Sequence, residues 1–429
     1  MSLLVSIIII IIILVLIYYV LNKNNSAEGL ENISQTTSNL SNNINKRNTS
    51  AIRWTQINMP LLAKLTNEYK ESQPFAGKKI SVSLHITNET FNLCMSLKTL
   101  GGDLFVIPAL RETTNPLVVQ DLRNNGISVA TEGNYIEKAI IRKPEIILDD
   151  GAQIITEIHS KYPEYAKHVI ISCEQTETGV LRIKELKKVL FPIVLVNSSP
   201  LKLLMDSRYG TGESAVFSFL KATHVLIAGK KVVVVGFGWV GNGIAKRIQG
   251  MGAQIIVVEI DPIKYLDALM QGMEVMNMEQ AAFIGDIFMT QTGQNSVINK
   301  DHYKNMKSGS FLCNFGHENV EINVPELKEW SETSEKITPD GENFYITAYK
   351  NGDKVLYLLG DGNVLNLSIA YGNSPNVLDC SFSLQLMAAI KYSERKLPPG
   401  IYQVDSKITN DLATEKLKIM TRNDEILQI

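Results

Sequence analysis

Apolar residues recur along this chain in two rhythms that alternate, and the alternation predicts the fold. Short apolar runs at Ile80–Leu84, Ile146–Leu148, Val169–Ser172, Val194–Asn197 and Val232–Val235 read as strands, several of them apolar throughout as in a sheet covered on both faces. Between them, apolar residues fall at three- and four-residue intervals, the period of an amphipathic helix: Met59, Leu61, Leu62, Leu65 and Tyr69, then Leu93, Leu97 and Leu100. Gly101-Gly102 stops the second of these helices before a strand begins at Leu104. Strand and helix alternate both before and after Pro200. The pattern predicts an α/β protein with two Rossmann-like domains, each a parallel sheet flanked by helices.

The N-terminus departs from this rhythm. Leu3–Leu21 is almost wholly Leu, Ile and Val, ends in an apolar stretch bearing Tyr18 and Tyr19, and carries no charge before Lys23. About 20 apolar residues span a bilayer, and neither a basic leader nor a small-residue cleavage site is present. The expectation is a retained single-pass transmembrane anchor over 1–22, with Lys23, Lys46 and Arg47 holding the body of the protein in the cytoplasm. The Asn- and Ser-rich stretch 23–50 then reads as a disordered linker.

The most informative stretch is Gly229–Ile263. The apolar run Val232–Val235 leads into Gly236, Gly238 and Gly241 at G-x-G-x-x-G spacing, then a helical pattern to Gly250, then a second apolar run, Ile255–Val258, that ends in Glu259. In a dinucleotide site the first glycine permits a tight turn, the second lets a pyrophosphate approach the backbone, and the third lets helix and strand pack closely. The phosphates sit at the helix N-terminus. An acid about 20 residues further on accepts hydrogen bonds from a ribose diol, and a carboxylate there repels a 2′-phosphate, so NAD is the expected cofactor.

Ligands in such sheets bind beyond the carboxyl ends of the strands, and those ends are rich in polar groups here. His85, Thr87, Glu89 and Thr90 follow Leu84; Asp149, Asp150 and Gly151 follow Leu148; Glu174 to Thr178 follow Ser172. Lys202 and Asp206 come after Asn197, and Asn314, Gly316 and His317 after Phe311–Cys313. Histidine, carboxylates and a lysine converging on one cleft supply acid–base groups of differing pKa, as proton transfers around a hydride transfer require.

Composition narrows the partners. The chain has 429 residues, 45% hydrophobic, with a net charge of −2 and a pI near 6.4; this is no footprint for nucleic acid. Cys94, Cys173, Cys313 and Cys380 are scattered without metal-ligand spacing, so no metal is expected and the thiols read as buried in a reducing compartment.

Taken together, the motifs resemble the S-adenosylhomocysteine hydrolase family over most of the chain, from about Trp54 to Met420. LHITNET (84–90), ILDDG (147–151), IHSKYP (158–163), EQTETG (174–179) and YGTGES (209–214) carry the resemblance, with the glycine stretch, CNFGHENVEI (313–322) and NLSIAYGNSP (366–375), all in the family's order. It implies a substrate-binding domain over 51–206 and 374–400, an NAD-binding Rossmann domain over 207–373, and a shortened tail over 401–429. It also implies NAD-dependent hydrolysis of S-adenosylhomocysteine to adenosine and homocysteine through transient 3′-hydroxyl oxidation, elimination and water addition. Transferred by position, Lys202 with Asp206 would handle the 3′-hydroxyl proton, and Asp150 and His85 the transfers at C4′ and C5′. Thr87 and Glu89 would hold the adenine, Gln175 would face the ribose, and His317 would sit beside the nucleoside. Thr176, Thr178, Glu259, Thr292, Asn314 and Asn366 match NAD-contacting positions beside Gly236, Gly238 and Gly241. A homo-oligomer, dimer or tetramer, is implied as well.

The chain departs from the family pattern at several of these places. Gln175 replaces a glutamate, Ser207 an asparagine, Thr211 a cysteine, Glu318 a phenylalanine and Asn373 a histidine; Thr113-Thr114-Asn115-Pro116 replaces the family's STQD, and the chain ends at Ile429 before the family's terminal segment. Because the altered residues cluster on the nucleoside side, two alternatives stand beside the hydrolase: the same redox-elimination chemistry on a different nucleoside or thioether, and a catalytically silent NAD-binding regulator.

Overall fold

A computed structural model describes residues 50–339 and 344–424. Two sheets organise them. The first contains β1 (Lys79–Leu84), β2 (Asp103–Pro108), β3 (Ser128–Val129), β4 (Ile146–Asp149), β5 (Ile171–Glu174), β6 (Pro192–Leu195) and β15 (Gly400–Gln403). Its order is β15-β6-β5-β4-β1-β2-β3 and every pairing in it is parallel. The second contains β7 (Lys231–Val235), β8 (Gln254–Val258), β9 (Glu274–Val275), β10 (Ile287–Thr290), β11 (Ser310–Asn314), β12 (Thr333–Ile337), β13 (Ile346–Asn351) and β14 (Lys354–Leu359). Its order is β12-β13-β14-β11-β10-β7-β8-β9, parallel from β9 to β14. The β12–β13–β14 edge is antiparallel, in an otherwise parallel sheet. The β13–β14 connection is a tight turn through Gly352 at φ +54°, too short for the crossover that a parallel neighbour needs.

Burial explains why these runs become central strands. Val232 and Val234 pack into one apolar cluster with Phe219, Ile244 and Ile248, while Val233 and Val235 pack into another with Phe288 and Leu312. Alternate side chains of one strand thus feed cores on both faces, which is why the run is apolar throughout rather than alternating. The first sheet is covered in the same way: Val82 and Leu84 lie in one cluster, Ile107 and Ile147 in the other. Helix Pro375–Ser393 returns the chain to the first sheet and is buried along most of its length. Asp379 on it accepts from Leu61 N–H (3.1 Å), Leu62 N–H (2.8 Å) and Lys416 Nζ (2.8 Å), tying in helices Pro60–Tyr69 and Ser406–Thr421.

The strand orders set the position of any ligand. In the first sheet the order reverses between β1 and β4, and in the second between β7 and β10. Such switch points open a crevice at the carboxyl ends of the flanking strands. Two glycines bring the second unit close to the chain that enters it: a Cβ at Gly243 would lie 2.0 Å from the Arg208 carbonyl, and one at Gly212 would lie 2.8 Å from the Gly243 carbonyl carbon.

The expected membrane-anchored, single-pass location, with its membrane partner, is corrected. Among the described residues no helix is long and apolar enough to cross a membrane. The longest of them, the 19-residue Pro375–Ser393, carries Asp379, Gln385 and Lys391 and is packed into protein. The expected anchor over 1–22 and all but the last residue of the expected linker over 23–50 lie outside the described residues. All four cysteines are buried and free of disulfides.

Candidate active site

The two switch points face one cavity of ≈ 260 Å³. From the first sheet, β1 delivers His85, and Thr87 follows as the N-cap of helix Asn88–Thr99. Its Oγ1 accepts from Thr90 N–H at 3.4 Å, which leaves Glu89 in the first turn and buried. β4 delivers Asp150 and β5 delivers Gln175, whose Nε2 donates to Asp150 Oδ2 at 3.1 Å. Thr176 caps helix Glu177–Lys184 by accepting from Gly179 N–H at 3.2 Å, with Thr178 beyond it.

A cluster of proton-carrying groups lies at the centre. His317 Nε2 is 3.7 Å from Asp150 Oδ1 and His85 Nε2 is 3.9 Å from Asp150 Oδ2. The nearest nitrogen and oxygen atoms of all three groups lie within 4.8 Å of one another. His85 Nδ1 is 2.7 Å from Thr113 Oγ1, which fixes the ring. Burial lowers the pKa of His85, against the pull of Asp150, and His317 adds to the lowering. The ring is therefore biased toward the neutral form that accepts a proton. Burial pushes the Glu89 carboxyl up, partly offset by the Thr87 hydroxyl.

Lys202 and Asp206 face the same cavity, on the turn where helix Pro200–Lys202 runs into the π-helical segment Leu203–Thr211. Both are buried, and Lys202 Nζ lies 2.5 Å from Asp206 Oδ2. Ser381 Oγ donates to Asp206 Oδ2 at 2.6 Å and Asn373 Nδ2 to Asp206 Oδ1 at 2.8 Å. The network extends through Ser214 Oγ, which donates to Asn373 Oδ1 at 3.0 Å and accepts from Asn366 Nδ2 at 3.1 Å. A buried charge pair with every oxygen occupied has one geometry, as a positioned proton carrier requires.

The second sheet supplies the opposite wall. Thr292 after β10 and His317 after β11 line the cavity, as does Asn366. The glycine loop lies alongside rather than within it. Gly236 is left-handed at φ +96°, and a Cβ at Gly241 would lie 2.0 Å from the Gly236 carbonyl oxygen. A Cβ at Gly238 would meet nothing within 4 Å, so this backbone is open to a ligand. Glu259 accepts from Phe237 N–H (2.7 Å) and Ile260 N–H (2.8 Å) and so holds the loop. Asn314 stands at the end of β11, fully buried, with its Nδ2 donating to the carbonyls of Glu318 (2.8 Å) and Gly362 (2.9 Å). Of the residues to which the resemblance gives a catalytic, substrate or cofactor role, Gly236, Gly238, Gly241, Glu259 and Asn314 do not line the cavity and the others do; the strand-end residues Asp149, Gly151 and Glu174 lie behind its lining.

Known proteins resolve what this arrangement belongs to. The family model for the S-adenosyl-L-homocysteine hydrolase NAD binding domain matches residues 207–372, and that for S-adenosyl-L-homocysteine hydrolase matches 41–107. The chain is 40% identical over 390 residues to the adenosylhomocysteinase of Pyrococcus abyssi, covering 88% of this chain and 91% of that protein. It is 37% identical over 389 residues to the adenosylhomocysteinase of Aquifex aeolicus (86% and 91%). The chain belongs to the S-adenosyl-L-homocysteine hydrolase family. Another relative, the S-inosyl-L-homocysteine hydrolase of Methanocaldococcus jannaschii, is 38% identical over 396 residues (88% and 93%).

Within this family member, several residues that organise the site were not anticipated as site residues. Glu174 accepts from Gly151 N–H (3.0 Å), Ala152 N–H (2.8 Å), Thr176 N–H (2.8 Å) and Thr176 Oγ1 (2.6 Å), bracing the loops that carry Asp150 and Gln175. Glu321 does the same opposite, accepting from Thr292 N–H (2.8 Å) and Gly293 N–H (2.7 Å). Gln291 Nε2 donates to the carbonyls of Val235 and Gly236, each at 2.7 Å. Glu174 had a local signal, an acid at a strand end; Ser381, in the middle of an apolar helix, had none.

Proposed function

We propose that the protein catalyses the reversible, NAD-dependent hydrolysis of S-adenosylhomocysteine to adenosine and homocysteine. The observation that carries this reading is one cavity shared by a buried Lys202–Asp206 pair, a His85–Asp150–His317 cluster and the wall beside the glycine loop. An ordinary dehydrogenase needs one acid–base group beside the transferred hydride; this cavity holds two separate sets, as oxidation and elimination together demand.

The residues present fit NAD. Gly238 leaves its backbone open at the N-terminus of helix Trp239–Gly250, and the buried Gln291 Oε1 and Asn366 Oδ1 have no hydrogen-bond partner among the described residues. When bound, NAD supplies a hydride acceptor that is restored within one turnover. Lys202, held by Asp206, takes up and returns the 3′-hydroxyl proton. Asp150 and His85 manage the protons at C4′ and C5′, first as base and then as acid toward the departing thiol. Thr87 and Glu89 hold the base, Gln175 faces the ribose and His317 covers the nucleoside. Gly236, Gly238, Gly241 and Glu259, with Thr176, Thr178, Thr292, Asn314 and Asn366, are the proposed cofactor contacts. In this reading 51–206 and 374–400 bind substrate, 207–373 bind NAD, and the protein assembles as a dimer or tetramer.

The test uses the purified 429-residue chain loaded with NAD. Homocysteine release from S-adenosylhomocysteine, with transient reduced-nicotinamide absorbance, is the expected result. Cleavage of S-inosylhomocysteine in its place would move the substrate, and neither release nor any redox change with either thioether would sink the proposal.

A further inference from the structure

Arg182 and Glu318 come from opposite sides of the cleft, each next in sequence to a residue that lines the cavity, Leu181 and His317. Arg182 is on helix Glu177–Lys184, which follows β5 of the first sheet; Glu318 follows His317 in the loop after β11 of the second. Arg182 Nη2 donates to Glu318 Oε1 at 2.5 Å, and Nη1 of the same guanidinium donates to the Gly151 carbonyl at 2.8 Å. One planar fork therefore holds both the backbone beside Asp150 and the side chain beside His317.

This matters because the His317–Asp150 approach has no hydrogen bond of its own to fix it. Their nearest atoms are 3.7 Å apart, and the buried Asp150 Oδ1 has no hydrogen-bond partner among the described residues. The space for that approach is reserved: a Cβ at Gly151 would lie 3.1 Å from His317 Nε2 and 3.6 Å from Arg182 Nη1. On its own side, the His317 loop is anchored by Asn314 Nδ2 donating to the Glu318 carbonyl at 2.8 Å and by Asn319 Nδ2 donating to the Asp361 carbonyl at 2.9 Å. Both anchors belong to the second sheet, so neither spans the cleft. The Arg182–Glu318 pair does span it, next to the reacting groups.

We propose that Arg182 and Glu318 are positioning residues that clamp His317 against Asp150 across the cleft, so that a cross-wall ion pair does the work of closing this part of the site. The proposal rests on the hydrolase reading for its kinetic consequence but not for its physical one. The two side chains are 36% and 34% exposed, so ions reach the pair, and its strength falls as salt rises.

The test has two arms, both on the 429-residue chain. In the first, kcat is measured for wild type, Glu318→Gln, Arg182→Gln and the double variant across ionic strength. Each single variant should lower kcat roughly threefold to tenfold, the double should cost little more than either single, and kcat should fall with salt in wild type and much less so in the variants. KM for the nucleoside and NAD retention should change little. Additive losses, or a salt dependence that survives in Glu318→Gln, would overturn the clamp. In the second arm, hydrogen exchange is followed without substrate. Faster exchange at 150–152 and 315–319 in Glu318→Gln supports the clamp even if the thioether is not the substrate, and unchanged exchange there overturns it whatever the activity.

Discussion

In the loop after β7, three glycines within six residues shape the backbone, and only Glu259 from the adjacent strand and Gln291 after β10 brace it from elsewhere. After β4 and β6 the same task falls to side chains far apart: Asp150 meets His85 and His317, and Asp206, in the segment Leu203–Thr211, meets Asn373 and Ser381 from helix Pro375–Ser393 and its approach. In the proposed function the first arrangement would bind with backbone, which tolerates little change in shape. The second would react with side chains, where one donor can replace another if the acceptor stays occupied. Asn373, at a position where the family carries histidine, still donates to Asp206.

The sharpest way to break the contrast is Lys202→Met, which keeps length and burial and removes the ammonium. Loss of a general acid–base group predicts a kcat lower by about 10²–10⁴-fold, with NAD retention intact; a fall of less than tenfold would mean that the proton moves elsewhere. Next comes a pair of glycine variants. Gly241→Ala drives a Cβ to within 2.0 Å of the Gly236 carbonyl and should cost about 2 kcal/mol of stability as well as NAD binding. Gly238→Ala meets no protein atom within 4 Å, so thermal unfolding without NAD should be unchanged while NAD affinity drops. Equal losses for both would show that the loop is merely structural.

Asn373→Ala tests whether the reactive wall depends on its distant donors. Hydrogen bonds to charged groups contribute about 1.5–3 kcal/mol, so kcat should fall roughly 10- to 100-fold, and much of that loss should vanish in a Lys202→Met background, measured as a double-mutant cycle. The smallest effect expected is on pH dependence. Burial pushes the Asp149 carboxyl up to about 7, partly offset by the Ile155 N–H. It pushes Glu174 well above its ordinary range, with Asp149 and Asp150 adding to the shift. A carboxyl whose folded pKa is raised contributes stability at low pH and loses it as pH rises toward the folded value. Melting temperature should therefore slope downward between about pH 4 and pH 7, and Asp149→Asn should flatten that slope; an unchanged slope would place the proton elsewhere.

The comparison also marks what could be read in advance. The strands, the helices between them and the glycine turn follow from local periodicity and spacing, and β7, β8 and β11 fall where the apolar runs put them. β5 shows the usual error at an edge: its apolar run suggests an end at Ser172, but the strand continues through Glu174, because that buried carboxylate is satisfied by the N–H groups of the neighbouring loop rather than by water. The antiparallel edge at β12–β14 was not legible, since those strands are distinguished by their connection and not by their composition.

By itself, the order of residues determined the α/β architecture, the site of the dinucleotide turn and the set of strand ends that carry acid, base and hydroxyl groups. These are consequences of spacing between near neighbours, which the backbone geometry of helix, strand and turn imposes wherever the pattern occurs. Tertiary structure alone decided which of those groups meet: Arg182 with Glu318, Asp150 with His317, and Asp206 with Asn373 and Ser381. Distances between side chains on different elements depend on how two sheets pack and where helix Pro375–Ser393 returns, and no local pattern encodes that.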